Sequence, residues 1–171
     1  TGEAVFVDDL RFPKMLQAAL LLSPHANARI VAIDASEAEA LPGVAAVIHY
    51  FNSPHIAYNS ALRFHGDTNP ADMPETEFIF DEYVRFVGDR VAAVAAEDMS
   101  TAEEAARRIK VTYEVLPAVF DELAALDPHA PQANAFGIDG TNVCGGPVAY
   151  GSQSEDDVLA AIDAADYMFE D

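Results

Sequence analysis

Between Val91 and Ala96 the chain runs six apolar residues without a break, the length and composition of a strand covered on both faces. The pattern then turns helical. Ser100 and Glu103 stand at capping-box spacing, and Ala102, Ala105, Ala106 and Ile109 recur at the i, i+3, i+4, i+7 positions of one face. Glu103–Arg107 and Glu104–Arg108 fall on the opposite face as i,i+4 pairs in the favourable order. From Lys110 the period drops to two: Val111, Tyr113 and Val115 point one way, Lys110, Thr112 and Glu114 the other, until Pro117 ends the strand. Strand, helix and strand with short connections form a unit that needs a sheet to lie on.

The same signals recur earlier. Met15–Ser23 is strongly apolar and predicts a central strand, stopped by Pro24, and Ala28–Asp34 predicts a second. Ser36 and Glu39 repeat the capping-box spacing and predict a short helix to about Leu41, halted by Pro42-Gly43, before a third strand over Val44–Tyr50. Phe51–Pro74 has no period and carries Pro54, Gly66, Pro70 and Pro74; loops of this length are usually functional or mobile. Phe78–Phe86 returns to strand character, with Gly88-Asp89 as a turn, and Val119–Leu126 suits a closing helix or a last short strand. Asp127–Gly146, rich in Pro, Gly, Asn and Ala, reads as a domain boundary or connector. Ser154–Ala165 recovers helix period, with Val158, Ala161, Ile162 and Ala165 on one face and Ser154–Asp157 as its cap, and Tyr167–Glu170 begins a strand. The stretches near Ser36 and Ser100 match loosely; there is no other repeat.

At 171 residues the chain has the size of one ordinary domain with an appendage and can bury a real core. No apolar run approaches membrane-spanning length and no signal-peptide pattern opens it, which predicts a soluble cytoplasmic protein. It starts at Thr1 without a methionine and closes in a helical pattern, as a piece cut from something longer would. With 29 acidic against 9 basic residues, the formal charge of −20 excludes nucleic acid, whose phosphates would be repelled. The acidity fits a solubilising surface ahead of a salt-adapted host. A single cysteine, Cys144, excludes an internal disulfide framework and any all-cysteine iron–sulfur or zinc cage.

Candidate chemistry is sparse. His25 and His55 sit in Ser-Pro-His triplets and His49, His65 and His129 are scattered, none at metal-ligand spacing. Asp8-Asp9 suits a turn that satisfies backbone donors better than half of a carboxylate site. Cys144, in NVCGGP, has no histidine near it in sequence and reads as an inert loop thiol rather than a nucleophile. Gly88 in FVGDR lacks the companions of a phosphate-binding loop and reads as a strand-connecting turn. Phe51, Tyr58, Phe64 and Met73 place aromatic or soft side chains in and beside the long loop, where they either pin it to its own core or form a pocket wall or partner contact.

Several separated blocks then come in a familiar order: TGEAVFVDDL, LLLSPHANARIVAIDASEAEALPGVAAV, VRFVGDRVAAVAAE and VTYEVLPAVFD. Together, from Thr1 to Asp127, they resemble the N-terminal α/β-hammerhead domain of the large, molybdenum-binding subunit of the xanthine dehydrogenase and aldehyde oxidase family. The tail GSQSEDDVLAAIDAADYMFED is similar to the family's connector into the next domain. The resemblance implies an α/β fold, a mixed twisted sheet with short helices packed on it over residues 1–127, and a connector over 128–171. It implies a non-catalytic domain of a larger molybdenum-dependent oxidoreductase, inactive by itself, whose parent carries a molybdenum–pterin cofactor, iron–sulfur clusters and often FAD. Such enzymes hydroxylate a purine, aldehyde or N-heterocycle with oxygen from water. The pterin contacts and the glutamate base belong to domains after Asp171, and the clusters to another domain or subunit, so no catalytic, cofactor-binding or metal-ligating residue is assigned here. The implied partners are the molybdenum-binding domains, with iron–sulfur and FAD subunits beyond them.

The family's loop before the FVG block helps wall the substrate funnel, which here points to Asn52–Glu77, with Phe64 or Met73 at the entrance. A docked domain also implies one apolar face, expected at that loop and the sheet edge near Val84–Val87. Two rivals stay open: a stand-alone acidic interaction or scaffold domain of the same fold without molybdenum chemistry, and a small acidic enzyme using Asp8, Asp9 and a loop histidine.

Overall fold

The structure, a computed structural model, describes residues 2–58, 77–133, 138–143, 154–165 and 167. Among these, six strands and three α-helices follow in the order β1 (Gln17–Leu22), β2 (Ala28–Asp34), α1 (Ser36–Glu39), β3 (Val44–His49), β4 (Tyr83–Val84), β5 (Arg90–Ala96), α2 (Met99–Arg108), β6 (Lys110–Val115) and α3 (Glu155–Asp163). They build two three-stranded sheets, β1-β5-β3 and β4-β2-β6. The expected α/β character holds, but all four strand pairings are antiparallel, so two small antiparallel sheets stand in place of one mixed sheet. The helices explain the difference. α1 carries the chain from β2 in one sheet to β3 in the other, and α2 carries it back from β5 to β6, so neither unit lays its strands side by side in parallel.

β5, not β1, is the central strand of its sheet. Val91, Ala92, Val94 and Ala96 are fully buried, whereas β1 is an edge strand that alternates half-buried and exposed positions. α2 presses Ala102, Ala105 and Ala106 onto the inner face of this sheet, where Val94, Ala92 and Val47 meet it with Ala35, Ala38 and Ile109. Alanines on the helix and small residues on the strand let the two backbones approach closely. Burying one valine such as Val94 stabilises by roughly 2 kcal/mol. A second cluster of Ala28, Ile30, Val84 and Val91 lies under the other sheet. Leu21, Ile33 and Val111 pack against both clusters and make one core of the two.

Both helix starts differ from expectation. Neither serine of the two capping-box spacings is the cap: Asp98 caps α2, while α1 starts from Ala35 without a side-chain cap and Asp34 just before it holds Ser36. Asp98 Oδ1 accepts from Thr101 N (2.8 Å) and Ser100 Oγ (2.8 Å), and its Oδ2 accepts from Thr101 Oγ1 (2.9 Å). Asp34 Oδ1 likewise accepts from Ser36 N (3.0 Å) and Ser36 Oγ (2.6 Å). A carboxylate has more acceptor sites than a hydroxyl and favours a helix N-terminus, so Asp-x-Ser outcompetes Ser-x-x-Glu here. The hydrogen bonds hold the Asp98 and Asp34 carboxyls below their ordinary range. α1 is shorter than expected, ending at Glu39, and Gly43 turns the chain with φ +89°.

The strand expected over Phe78–Phe86 shrinks to the two residues of β4. The Gly88-Asp89 turn is present: Gly88, at φ +98°, donates to Ser23 O (2.8 Å) and Ser23 N donates to Asp89 O (2.8 Å). Val119–Leu126 forms neither helix nor strand beyond a 3-10 turn at Ala124–Leu126. α3 starts on the expected cap, with Ser154 Oγ accepting from Asp157 N (3.2 Å), and Val158, Ala161, Ile162 and Ala165 are exposed. No helix among the described residues is long and apolar enough to cross a membrane.

Candidate functional site

The long loop leaves and rejoins the fold through a built neck. Tyr58 and Glu77 exchange both backbone hydrogen bonds, 2.9 and 3.0 Å, as an isolated antiparallel bridge. Arg90, the first residue of β5, clamps that bridge from the sheet. Its Nη1 donates to Tyr58 Oη (3.0 Å), its Nη2 to Phe78 O (3.2 Å), and Nη2 lies 3.6 Å from Glu77 Oε2. The bond to Tyr58, with Asp89 and Glu77 nearby, raises the Arg90 pKa against the opposing effect of burial. On the entering side, His55 stacks on Tyr50 at 4.1 Å between centroids, and His49 Nδ1 accepts from Phe51 N (3.2 Å). Burial lowers the His49 pKa and keeps its ring neutral. Tyr58 therefore pins the loop, whereas Phe51 is half exposed.

Phe64 and Met73, the residues expected at the funnel entrance, lie outside the described residues, as do His65 and Cys144. Of the remaining candidates, Asp9 Oδ2 accepts from Phe6 N (3.0 Å), the turn role expected of the pair. The ring of His25 packs edge-on against Tyr113 at 4.8 Å. Among the described residues no three His, Cys, Asp or Glu side chains gather where they could hold a metal ion. One thiol in the whole sequence cannot ligate an iron–sulfur cluster. These residues do not fit a metal centre.

A groove runs beside the FVG turn. Two adjoining hollows of about 570 and 300 Å³ share Asn27, Arg85, Pro131 and Gln132. Phe86, Val87 and Phe120 line the smaller one and are largely exposed, so part of the apolar face expected near Val84–Val87 is present; Val84 itself is core. Arg85 is already engaged, its Nη1 donating to Asp81 Oδ2 at 2.6 Å. The lining residues include His129 and Tyr83 but no Ser, Thr, Cys, Lys or carboxylate.

A second apolar surface lies on the outer side of β1-β5-β3. Register places Leu20, Ala93 and Ile48 in one row across the sheet and Ala18, Ala95 and Ala46 in the next. Leu20 is 53% exposed and Ile48 43%. Sequence reasoning also misses Arg90, Asn27 and Arg85. The partners of Arg90 and Asn27 lie 12 to 90 residues away along the chain, and no local spacing announces them.

The family profile "Aldehyde oxidase and xanthine dehydrogenase, a/b hammerhead domain" matches residues 1–117. The chain belongs to that family. It is 45% identical over 112 residues to the probable hypoxanthine oxidase XdhD of Escherichia coli O157:H7, covering 66% of this chain and 11% of that protein. Against the xanthine dehydrogenase molybdenum-binding subunit of the same organism, identity is 33% over 170 residues, 98% of this chain and 21% of the subunit. The fold superposes on the crystal structure of the aldehyde oxidoreductase from Desulfovibrio desulfuricans with a TM-score of 0.63 at 30% identity, over 82% of this chain and 15% of that one. The chain thus spans between about a ninth and a fifth of the length of these relatives. Within the hammerhead domain, the Arg90 clamp and the Asp98-capped α2 hold a scaffold; the matched relatives are oxidoreductases of which such a domain is one part.

Proposed function

We propose that this chain is the non-catalytic hammerhead domain, residues 1–127, of a cytoplasmic molybdenum-dependent hydroxylase, followed by a connector over residues 128–171 that leads to the molybdenum-binding domain. The observation that carries the proposal is that 98% of the chain aligns with a molybdenum-binding subunit while filling only 21% of it. A domain that small within a large subunit acts through how it packs. Its parent holds the molybdenum–pterin cofactor in the domains that follow, passes electrons to iron–sulfur clusters and FAD in partner domains or subunits, and hydroxylates a purine, aldehyde or N-heterocycle. The hammerhead domain packs on the molybdenum domains, and the loop held at its base by Arg90, Tyr58 and Glu77 reaches the substrate funnel with Phe64 or Met73.

The test is expression of the full coding sequence that contains this chain, followed by metal and pterin analysis and turnover on a purine, an aldehyde and a heterocycle. Stoichiometric molybdenum with hydroxylation of one class is the expected result. A reading frame that stops close to Asp171, giving a free-standing domain without molybdenum, would overturn the enzymatic reading. In the active enzyme, Phe64→Ala and Met73→Ala shift the ratio of kcat/KM for bulky over small substrates by about tenfold. An unchanged ratio removes the loop from the funnel.

A further inference from the structure

The outer face of β1-β5-β3 is finished for protein, not for water. β5 reads RVAAVAA, and its outward positions Ala93 and Ala95 are as apolar as its inward ones. A strand exposed to solvent on one side ordinarily alternates; one that reads as a continuous apolar run is covered on both. α2 covers the inner face only. On the outer face, Leu20–Ala93–Ile48 and Ala18–Ala95–Ala46 form two rows without a polar atom in any side chain, and the patch ends at the next pair, where exposed Leu22 stands opposite Arg90. The chain carries 29 acidic residues, yet β1, β3 and β5 contain none. Contiguous apolar surface free of charge marks an interaction site.

We infer that this face docks on an uncharged, apolar surface of the remaining part of the same large subunit. The inference rests on the function proposed above and adds a second face through which the domain packs, beside the long loop and the Val84–Val87 edge that the sequence alone suggests. Two observations choose this occupant over a second copy of the chain. In the relative aligned over 98% of this chain, about four fifths of the polypeptide lies outside the matched stretch and is available to cover the face. A charge of −20 on each copy opposes bringing two copies together. An apolar contact with another part of the same polypeptide adds no such repulsion where it buries no acid.

The experiment introduces Leu20→Cys, Ile48→Cys and, as a solvent-facing control on the other sheet, Thr112→Cys. Each is made both in the full-length large subunit and in the 171-residue chain. Native protein is pulsed with a maleimide, and labelling is read at each site by peptide mass spectrometry, so other thiols do not interfere. Molybdenum content is measured on the same preparations. In the full-length subunit, residues 20 and 48 are expected to label about 100-fold more slowly than residue 112, because the contact must open first. In the 171-residue chain, all three are expected to label at similar rates. Rapid labelling of 20 and 48 in a full-length subunit that holds molybdenum overturns the docking face and leaves the proposed function standing. A full-length product without molybdenum overturns the function instead. Protection in the 171-residue chain that rises with its concentration, with a dimer mass by light scattering, overturns the inference in favour of a second copy. The cysteine substitutions are small enough to keep the sheet, and circular dichroism of each variant verifies this.

Discussion

The two sheets are alike in size and in antiparallel pairing, and they share one core, yet their outer faces are opposites. On β4-β2-β6, Arg29 sits between Glu82 at 2.6 Å and Glu114 at 3.9 Å, Lys110 pairs with Glu37, and Asp34 and Thr112 complete a polar surface. On β1-β5-β3, the equivalent surface is leucine, isoleucine and alanine. Single exposed apolar residues need no explanation, and Val31 and Val115 on the polar sheet are of that kind. Two registered rows are different. The polar face shows how this sequence builds a surface meant for water, so the apolar face cannot be attributed to a generally indifferent exterior. The difference separates the part of the domain that meets solvent from the part that meets protein.

The largest effect belongs to the face the sheets have in common, the inner one. Val94→Asp places a carboxylate against α2 where the side chain is fully buried, and it is expected to cost about 4 kcal/mol or more, enough to unfold a domain of ordinary stability. Urea unfolding followed by circular dichroism checks this. The matched change on the outer face, Ile48→Thr with Leu20→Ser, is expected to alter the stability of the 171-residue chain by no more than about 1 kcal/mol while lowering its binding of a hydrophobic dye. Equal destabilisation by the inner and outer changes would mean that the outer face is covered within this chain, and the contrast between the sheets would fail.

A pH titration sharpens the same boundary from the end of β3. His49 points inward, 8% exposed, with its ring held neutral by burial and its Nδ1 accepting from Phe51 N. Its folded pKa lies below the unfolded value of about 6.5. The unfolded chain therefore takes up the proton first as pH falls. The stability His49 contributes is complete above that value and declines as pH drops from it towards the folded pKa. Chemical denaturation between about pH 7.5 and 5 should show the decline, and His49→Asn, which keeps an acceptor but cannot titrate, should flatten it. An unchanged slope would place the proton uptake elsewhere.

Much of the fold is legible in the amino-acid sequence, and what is not shares a cause. The boundaries of β2, β5 and β6 follow from period and from Pro117, because alternation and apolar runs are local properties of the chain. The position of a strand within its sheet is not local. Met15–Ser23 is more apolar than an edge strand requires, since its outer leucines lie outside this chain's own core, and so it reads as central. A strand–helix–strand pattern does not say which sheet a strand joins, so it suggests one mixed sheet where helices cross between two. Ser-x-x-Glu spacing hides the stronger Asp-x-Ser signal, placing the cap of α2 two residues late and that of α1 one residue late. The Asp98 cap has its own test. Asp98→Ala should lower Tm by about 2–4 °C, whereas Ser100→Ala should lower it by less, because only the Asp98 carboxylate accepts from the Thr101 backbone. The Arg90 clamp and the Asn27 groove depend on residues far apart along the chain, and a single sequence holds no record of such pairings.

The smallest expected effect is on the polar sheet, and it is the most direct check on calling that face a solvent face. Arg29 is bonded to Glu82, which raises its pKa, but the pair is exposed. In water at ordinary ionic strength, exposed pairs contribute little beyond the entropy of holding them in place. Arg29→Ala should therefore change Tm by no more than about 2 °C at about 0.15 M salt. Because the chain already carries a charge of −20, removing a cation also adds to its self-repulsion, so the small loss should shrink as salt is raised. A large loss indifferent to salt would show that Arg29 is shielded from solvent. The two outer faces would then no longer be opposites, and the apolar one would lose the polar face that makes it stand out.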